Sequence, residues 1–350
     1  MTISPSNEQD DREIKEALKD WQKIVSQYGR PDKKKAIVQI FNTFLPFVGL
    51  WVLMYVSLSW SYWITLGLAV VNAFFLVRIF IIQHDCGHQS FLKKRKLNDA
   101  IGLVCSFFSA IPYKYWSRSH NFHHAHNGQL EVRDIGDIHM LTVNEYRDLP
   151  YMKRLAYKLF RNPVVLFVLG PIYYILINVR FPLIDLKGWK NVKKAQFFNN
   201  VYLILVYALV AFIVGWKQFF LVHIPIVVLF AIIAVWFFYV QHQHEETYKQ
   251  WKDNWEYLLS AVKGSTYYKL PKMVQWLTGN IGLHHIHHLN PKIPNYHLTK
   301  CAIEHPVLTK YVTTVGFWES LKCMFNHLWD EDNQRMISFW EFRKMERAAA

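Results

Sequence analysis

Seventeen histidines occur among 350 residues, and most of them fall into short clusters. The first, "HDCGH", contains His84 and His88. The second, "HNFHHAH", contains His120, His123, His124 and His126. The third, "HHIHH", contains His284, His285, His287 and His288, and a further pair, His242 and His244, stands in "VQHQHEE". Residues three or four apart share a face of a helix. The sets 84/88, 120/123/124 and 284/287/288 can therefore each turn their imidazoles toward one common centre. Neutral imidazole suits zinc, iron, copper and nickel. One zinc takes only three or four ligands, so eight or nine imidazoles suit two metal ions. The Glu and Glu-x-x-His pattern of soluble di-iron bundles is absent, which leaves histidine as the main ligand type.

Other histidines fit this pattern less well. His126, His244, His285 and His297 stay unassigned; His285 lies off the face shared by His284, His287 and His288, where it could hydrogen-bond a partner behind the ligands. His139, His223, His305 and His327 read as ordinary hydrogen-bonded histidines. Asp85, Asp134, Asp137, Glu245 and Glu246 lie near the clusters, where they either orient ligand imidazoles through the second ring nitrogen or form interfacial ion pairs. Cys86, Cys105, Cys301 and Cys323 have no paired spacing and are given no role.

Long apolar runs must position these clusters. The hydrophobic fraction is 52% and charged residues make up 19%. Residues 36–60 hold no charge, residues 62–83 hold only Arg78, and two more apolar runs cover 201–216 and 219–240. A helix needs about 20 apolar residues to cross the hydrocarbon core. The third run is short, with Asn199, Asn200 and Trp216 at its edges to complete it. Arg78 lies near the end of its run, from which it is expected to snorkel to the interface. The runs 101–113 and 164–179 are expected to be interfacial or half-buried, the second interrupted by Gly170-Pro171. Turns are placed at Ser59-Trp60-Ser61 and Lys217-Gln218.

The expected fold is therefore an all-α integral membrane protein: four transmembrane helices in two hairpins, with a cytoplasmic helical cap holding a histidine-ligated di-metal site. Its parts are an N-terminal segment (1–35), a first hairpin (36–83), a region with the first two clusters (84–200), a second hairpin (201–241) and a C-terminal region (242–350). The first 35 residues do not read as a signal peptide. Lys and Arg concentrate outside the hairpin turns, which puts both termini and the clusters on the cytoplasmic side. The net charge of +14 then reflects topology and attraction to anionic headgroups rather than nucleic-acid binding.

The motifs H-x3-H ("HDCGH"), H-x2-HH ("HNFHH") and H-x2-HH ("HHIHH") resemble the three histidine boxes of membrane fatty acid desaturases. The surrounding stretches "RIFIIQHDCGHQSF", "GDIHMLTVNEY", "RNPVVLFVLGPIYY", "WFFYVQHQHEETY" and "YYKLPKMVQWLTGNIGLHHIHHLNPKIPNYHL" resemble bacterial acyl-lipid (phospholipid) desaturases of the Bacillus delta-5 type, over about residues 36–340. The resemblance implies that His84, His88, His120, His123, His124, His284, His287 and His288 are metal ligands, with His242 as a ninth. It also implies two iron ions, O2 as co-substrate, a membrane phospholipid acyl substrate and a bacterial plasma-membrane location. Neither terminus carries a haem-binding or nucleotide-binding segment, so electrons are expected from a separate protein. Ferredoxin or flavodoxin, both typically acidic, would suit the basic face. A homodimer is compatible with the sequence.

Three rivals follow from the same residues. A hydroxylase or ketolase of the histidine-box superfamily diverges only after the first hydrogen abstraction. Delta-12/omega-6 selectivity is an alternative to delta-5. A metal transporter would need ligands near the bilayer midplane, yet only His223 falls inside an apolar run.

Overall fold

The computed structural model describes residues 5–184 and 188–349. Short helices α1 (Pro5–Ala17) and α2 (Trp21–Ser26) lead into α3 (Lys33–Ser57), which turns back as α4 (Tyr62–Gly87). Asp32 begins α3 by accepting hydrogen bonds from the backbone N–H groups of Lys34 and Lys35, which occupies donors that the first helical turn leaves free. A second antiparallel pair forms from α10 (Lys190–Val214) and α11 (Trp216–His242). All four helices are long and apolar enough to cross a bilayer. Their exposed faces, such as Ile204, Leu205, Leu209 and Phe212 on α10, are apolar, the inverse of a water-facing helix.

The second pair differs from the expected one at both ends. Its turn is at Gly215, with φ +94°, not at Lys217-Gln218. A Cβ there would lie 2.4 Å from the Gln218 side chain, and only glycine adopts that backbone without strain. Trp216 therefore starts α11 rather than finishing α10. At the other end α10 extends back to Lys190 because its polar residues find partners. Asn199 bonds Ser106 and the backbone N–H of Tyr113, and Asn200 accepts from Arg180.

Arg78 also departs from expectation, since it does not snorkel. It is buried, donates from Nε to Thr43 Oγ1 at 3.1 Å and from Nη1 to the Trp276 carbonyl, and lies 4.0 Å from the Trp276 ring. A guanidinium held by oxygen acceptors and an aromatic face has protein partners where water would otherwise be needed.

Between the pairs, α5 (Arg95–Ser109) packs along α4, and α6 (Tyr113–His126) follows it. Next come α7 (Val143–Asp148), opened by a Thr142/Glu145 capping box, and α8 (Tyr151–Phe160). The apolar run beyond α8 is a broken helix. Five-residue π turns at Val165–Leu169 and Tyr174–Asn178 flank the short α9 (Gly170–Tyr173), and the axis bends by 61° from α8. Pro171 cannot donate to the carbonyl four residues back, so regular α hydrogen bonding is interrupted there.

The C-terminal region carries α12 (Tyr257–Val262), α13 (Lys272–Leu277), α14 (His284–Leu289) and α15 (Asn295–Glu304). Two small sheets, not expected from the sequence, tie distant segments together. Leu141–Thr142 runs parallel to Leu328–Asp330, which pairs antiparallel with Arg335–Ile337. Tyr267–Tyr268 runs parallel to Thr314–Val315. Arg161, fully buried, donates to the His139 carbonyl and the Tyr239 hydroxyl at 3.0 and 2.7 Å, joining α8 to the end of α11. The result is a nearly all-α membrane protein with histidine clusters capable of holding a di-metal site. All four cysteines are free and buried.

Candidate metal centre

Helix phase decides where each imidazole goes. His84 lies in the last turn of α4 and His88 caps it; His242 is the last residue of α11. The second and third clusters lie on α6 and α14. Five histidines form one group: His84, His88, His120, His124 and His287 each offer a ring nitrogen within 4.8 Å of the others. His123, His242 and His288 form a second group by the same measure. His284 joins this second group, its Nε2 2.9 Å from His242 Nε2 and 3.2 Å from His288 Nε2.

The clusters thus do not each face one common centre, as their spacing suggested. Pairs at i and i+4 stay together: 84/88 and 120/124 in the first group, 284/288 in the second. The i+3 members cross over, His123 to the second group and His287 to the first. Positions i and i+4 differ by about 40° around a helix and i and i+3 by about 60°, to the opposite side. A centre on each flank of α6 and α14 therefore separates them.

All nine side chains are buried. Burial and neighbouring imidazoles hold His88, His120, His124, His284, His287 and His288 well below the usual histidine range. Burial pushes His123 down to about 4. These rings are therefore neutral, with ligand lone pairs gathered at short range: His124 Nε2 lies 3.1 Å from both His120 Nε2 and His287 Nε2. Nε2 of His84 and of His88 is buried without a hydrogen-bond partner. Neutral nitrogens converging without donors fit divalent cations.

The opposite ring nitrogen of three members is held in place. His84 Nδ1–H donates to Asp85 Oδ1 at 3.0 Å, His88 Nδ1–H to Asn121 Oδ1 at 2.9 Å and His242 Nδ1–H to the Gly264 carbonyl at 3.0 Å. Each bond fixes a tautomer that leaves Nε2 free. Asp85 is itself fixed, since Oδ2 accepts from the backbone N–H and Nδ2 of Asn295 at 2.7 and 2.8 Å, and Gln39 donates to Asn295 Oδ1. Of the five carboxylates near the clusters, Asp85 is the one bonded to a clustered ring. Asp134 pairs with His139, Asp137 with the buried Lys249 and Glu245 with Arg335. Sequence reading missed Asn121, Asn295 and Gln39; an uncompensated Gln inside an apolar run was the available signal. Asp85→Asn should weaken metal binding by about 10–100-fold, because its new NH2 would face the two Asn295 donors. Metal retained against a chelator measures this, and unchanged retention would show that the bond to Asp85 does not matter.

The remaining histidines lie outside both groups. His126 donates to the Phe122 carbonyl, His244 to Lys263 and His297 to Tyr28. His285 is fully buried beside the Tyr267 ring. His139 pairs with Asp134, His223 packs on Phe219, His305 meets Tyr28 edge-on and His327 stacks on Phe339. Burial holds His244, His285 and His327 at about 3, against an ordinary 6.5. In the unfolded chain these groups protonate first as pH falls. Their contribution is therefore complete above 6.5 and is lost progressively toward about 3. Metal-free protein should melt at a distinctly lower temperature at pH 5.5 than at pH 7.5; equal melting temperatures would contradict the assignment.

A cavity of about 430 Å³ adjoins both groups, touching His84, His120 and His284. Its walls come from α4 (Val77, Phe80), α6 (Tyr115, Trp116), α11 (Phe230, Ala234) and the broken helix (Tyr174, Asn178). Trp116 stacks on His120 with ring centroids 4.5 Å apart, and Phe238 lies 4.9 Å from His242. The arrangement brings a mainly apolar space against two clustered histidine groups.

Residues 60–318 match a family model described as fatty acid desaturase. A fatty acid desaturase of Bacillus subtilis (strain 168) is 46% identical over 318 residues, which cover 91% of this chain and 89% of that protein. An sn-1 oleoyl-lipid 12-desaturase of Anabaena variabilis is 26% identical over 70% of this chain and 69% of its own. An sn-1 acyl-lipid omega-3 desaturase (ferredoxin) of Nostoc sp. (strain 36) is 28% identical over 72% and 69%.

Proposed function

The chain belongs to the fatty acid desaturase family, and from that premise we propose that it inserts a cis double bond into the acyl chains of membrane phospholipids. The proposed oxidant is O2, the metal pair two iron ions held by the nine histidines, and the electron source ferredoxin or flavodoxin. Delta-5 is the proposed position, and the cytoplasmic side of a bacterial plasma membrane the proposed setting of the site. The observation that carries this reading is the apolar cavity ending against both histidine groups.

Bound iron would supply the oxidising power to remove hydrogen from an unactivated methylene. Every other requirement falls on the protein. Phe80, Trp116 and Phe230 form an apolar wall that can hold an acyl chain and exclude water. Asp85, Asn121 and the Gly264 carbonyl keep three imidazoles in the ligating tautomer. Names of relatives that specify lipid-bound substrates and ferredoxin support the same substrate and donor classes.

Entry from the bilayer is supported by the broken helix. Tyr174, Ile175, Asn178 and Val179 line the cavity, while Leu176, Ile177 and Phe181 expose an apolar outer surface. One interrupted segment thus separates the cavity from a surface suited to lipid. Preceding it, α8 exposes Tyr151, Met152 and Leu159 beside Lys153 and Lys158, the composition of a helix lying in the headgroup region.

The test is fatty-acid analysis with double-bond localisation in a bacterial host expressing the protein. New cis monoenes in phospholipids, with the bond at carbon 5, are the expected result. Hydroxy or keto acyl chains would move the protein to the sister chemistry, and an unchanged lipid profile with iron and ferredoxin supplied would refute the reading.

A further inference from the structure

The two histidine groups differ in their connection to the surface. His88 is buried, but its Nδ1–H donates to Asn121, whose residue is exposed on α6. Asn121 is fixed in turn by donating from Nδ2 to the carbonyls of Gly87 and Ser117 at 3.2 and 2.7 Å. Lys292 Nζ donates to the His88 carbonyl at 2.6 Å. One amide side chain therefore separates a ligand-type imidazole of the first group from solvent.

The surface around this bridge is strongly basic. Lys93, Lys94, Arg95 and Lys96 are exposed immediately after His88, and Arg118 is exposed one turn before Asn121. The charge of Arg95 bears on Lys292. Among the described residues, the side chains of Lys93, Lys94, Lys96 and Arg118 have no ion-pair partner, and the nearby Asp99 is already tied to Lys114 at 2.6 Å. On the side of the second group the surface differs. His244 and His242 bond the carbonyls of Lys263 and Gly264, and the depression beside them is lined by Asp10, Glu13 and Glu246 with Lys263 as its basic member. An acidic protein would be attracted to the first surface and repelled by the second.

We propose that the surface formed by Lys93–Lys96, Arg118 and Lys292 docks a small acidic one-electron carrier, and that electrons enter the first histidine group through Asn121 and His88. This rests on the desaturase reading above and on its electron-donor class. Two docking events deliver one electron each. With two protons and two hydrogens from the acyl chain they reduce one O2 to two waters, leaving one C=C bond.

The experiment uses the full-length, iron-loaded protein in neutral-lipid nanodiscs with reduced ferredoxin as donor and dithionite as a small reductant. The double variant Lys94→Glu/Lys96→Glu should raise the KM for ferredoxin about tenfold at low ionic strength. Its kcat and its reduction by dithionite should match wild type, and added salt should shrink the difference. Asn121→Ala should instead lower kcat per bound iron with ferredoxin while keeping its KM; because Asn121 also holds the His88 imidazole, iron is counted in the same preparation and rates are compared per bound iron. An unchanged ferredoxin KM in the charge-reversal variant overturns the docking surface. Loss of binding to anionic vesicles with no change in KM also overturns it and makes the patch a lipid contact. Wild-type protein that desaturates in cells but takes no electrons from ferredoxin refutes the donor reading, and the inference falls with it.

Discussion

His287→Ala is expected to remove iron from the first histidine group and to lower desaturation by roughly 10³-fold or more, since even the groups that orient metal ligands cost 10–100-fold when lost. His287 is the only contribution of α14 to the first group, whose other members come from α4 and α6. Its Nε2 lies 3.1 Å from His124 Nε2, and its ring lies 4.5 Å from that of His84. Removing it leaves a void among neutral, buried rings that no neighbour on α14 can fill, because His284 and His288 face the second group. His285→Ala is the informative comparison. That ring is equally buried but belongs to neither group, so its loss should cost packing and stability while iron content stays full. Iron counting on purified protein and fatty-acid analysis in cells give the two readouts. An active, iron-replete His287→Ala protein would sink the ligand assignment.

Ala234→Trp should close the cavity and lower conversion by about 100-fold, the scale on which a small misplacement of reacting groups acts. Ala234 is half-buried on α11 and lines the 430 Å³ space beside Phe230 and Phe238. An indole built there projects into volume the acyl chain needs, rather than into packed core, so the usual overpacking penalty is reduced. Iron content and reduction by dithionite should stay at wild-type levels, because Ala234 lies two turns before His242 on α11 and belongs to neither histidine group. Full activity on long acyl chains would show that substrate lies elsewhere. A shift in double-bond position would show that the chain is still admitted but stops at a different depth.

Much of this architecture is legible from residue order because the physics behind it is local. A charge-free run such as 36–60 must be helical and lipid-facing, since the hydrocarbon core offers backbone groups no water. Spacings of three and four residues place imidazoles on one flank of a helix whatever surrounds it. The less legible features depend on contacts between distant segments. Arg78 looked destined for the interface until Thr43 and Trp276, from other helices, proved to hold it. The helix of residues 190–200 continues beyond the apolar run because Ser106 and Arg180 satisfy its asparagines. The two parallel strand pairs join residues over 40 positions apart, beyond the reach of any local pattern.

The sequence by itself determined the four apolar helices and the clustering of histidines, because composition and helical period act within a few turns; the resemblance of its motifs pointed to the family and added His242, for nine candidate ligands. Only the tertiary structure decided how those nine divide. Which flank of α6 meets α4 and which meets α11 depends on helix packing, and that packing sends His120 and His124 to one group and His123 to the other. The same packing selected Asp85, Asn121 and Gly264 as the partners that hold the imidazoles. It also drew the broken helix of 165–178 in as one wall of the cavity. Side chains on separate helices converge only after the helices have packed, so linear spacing carries no record of which ones will meet.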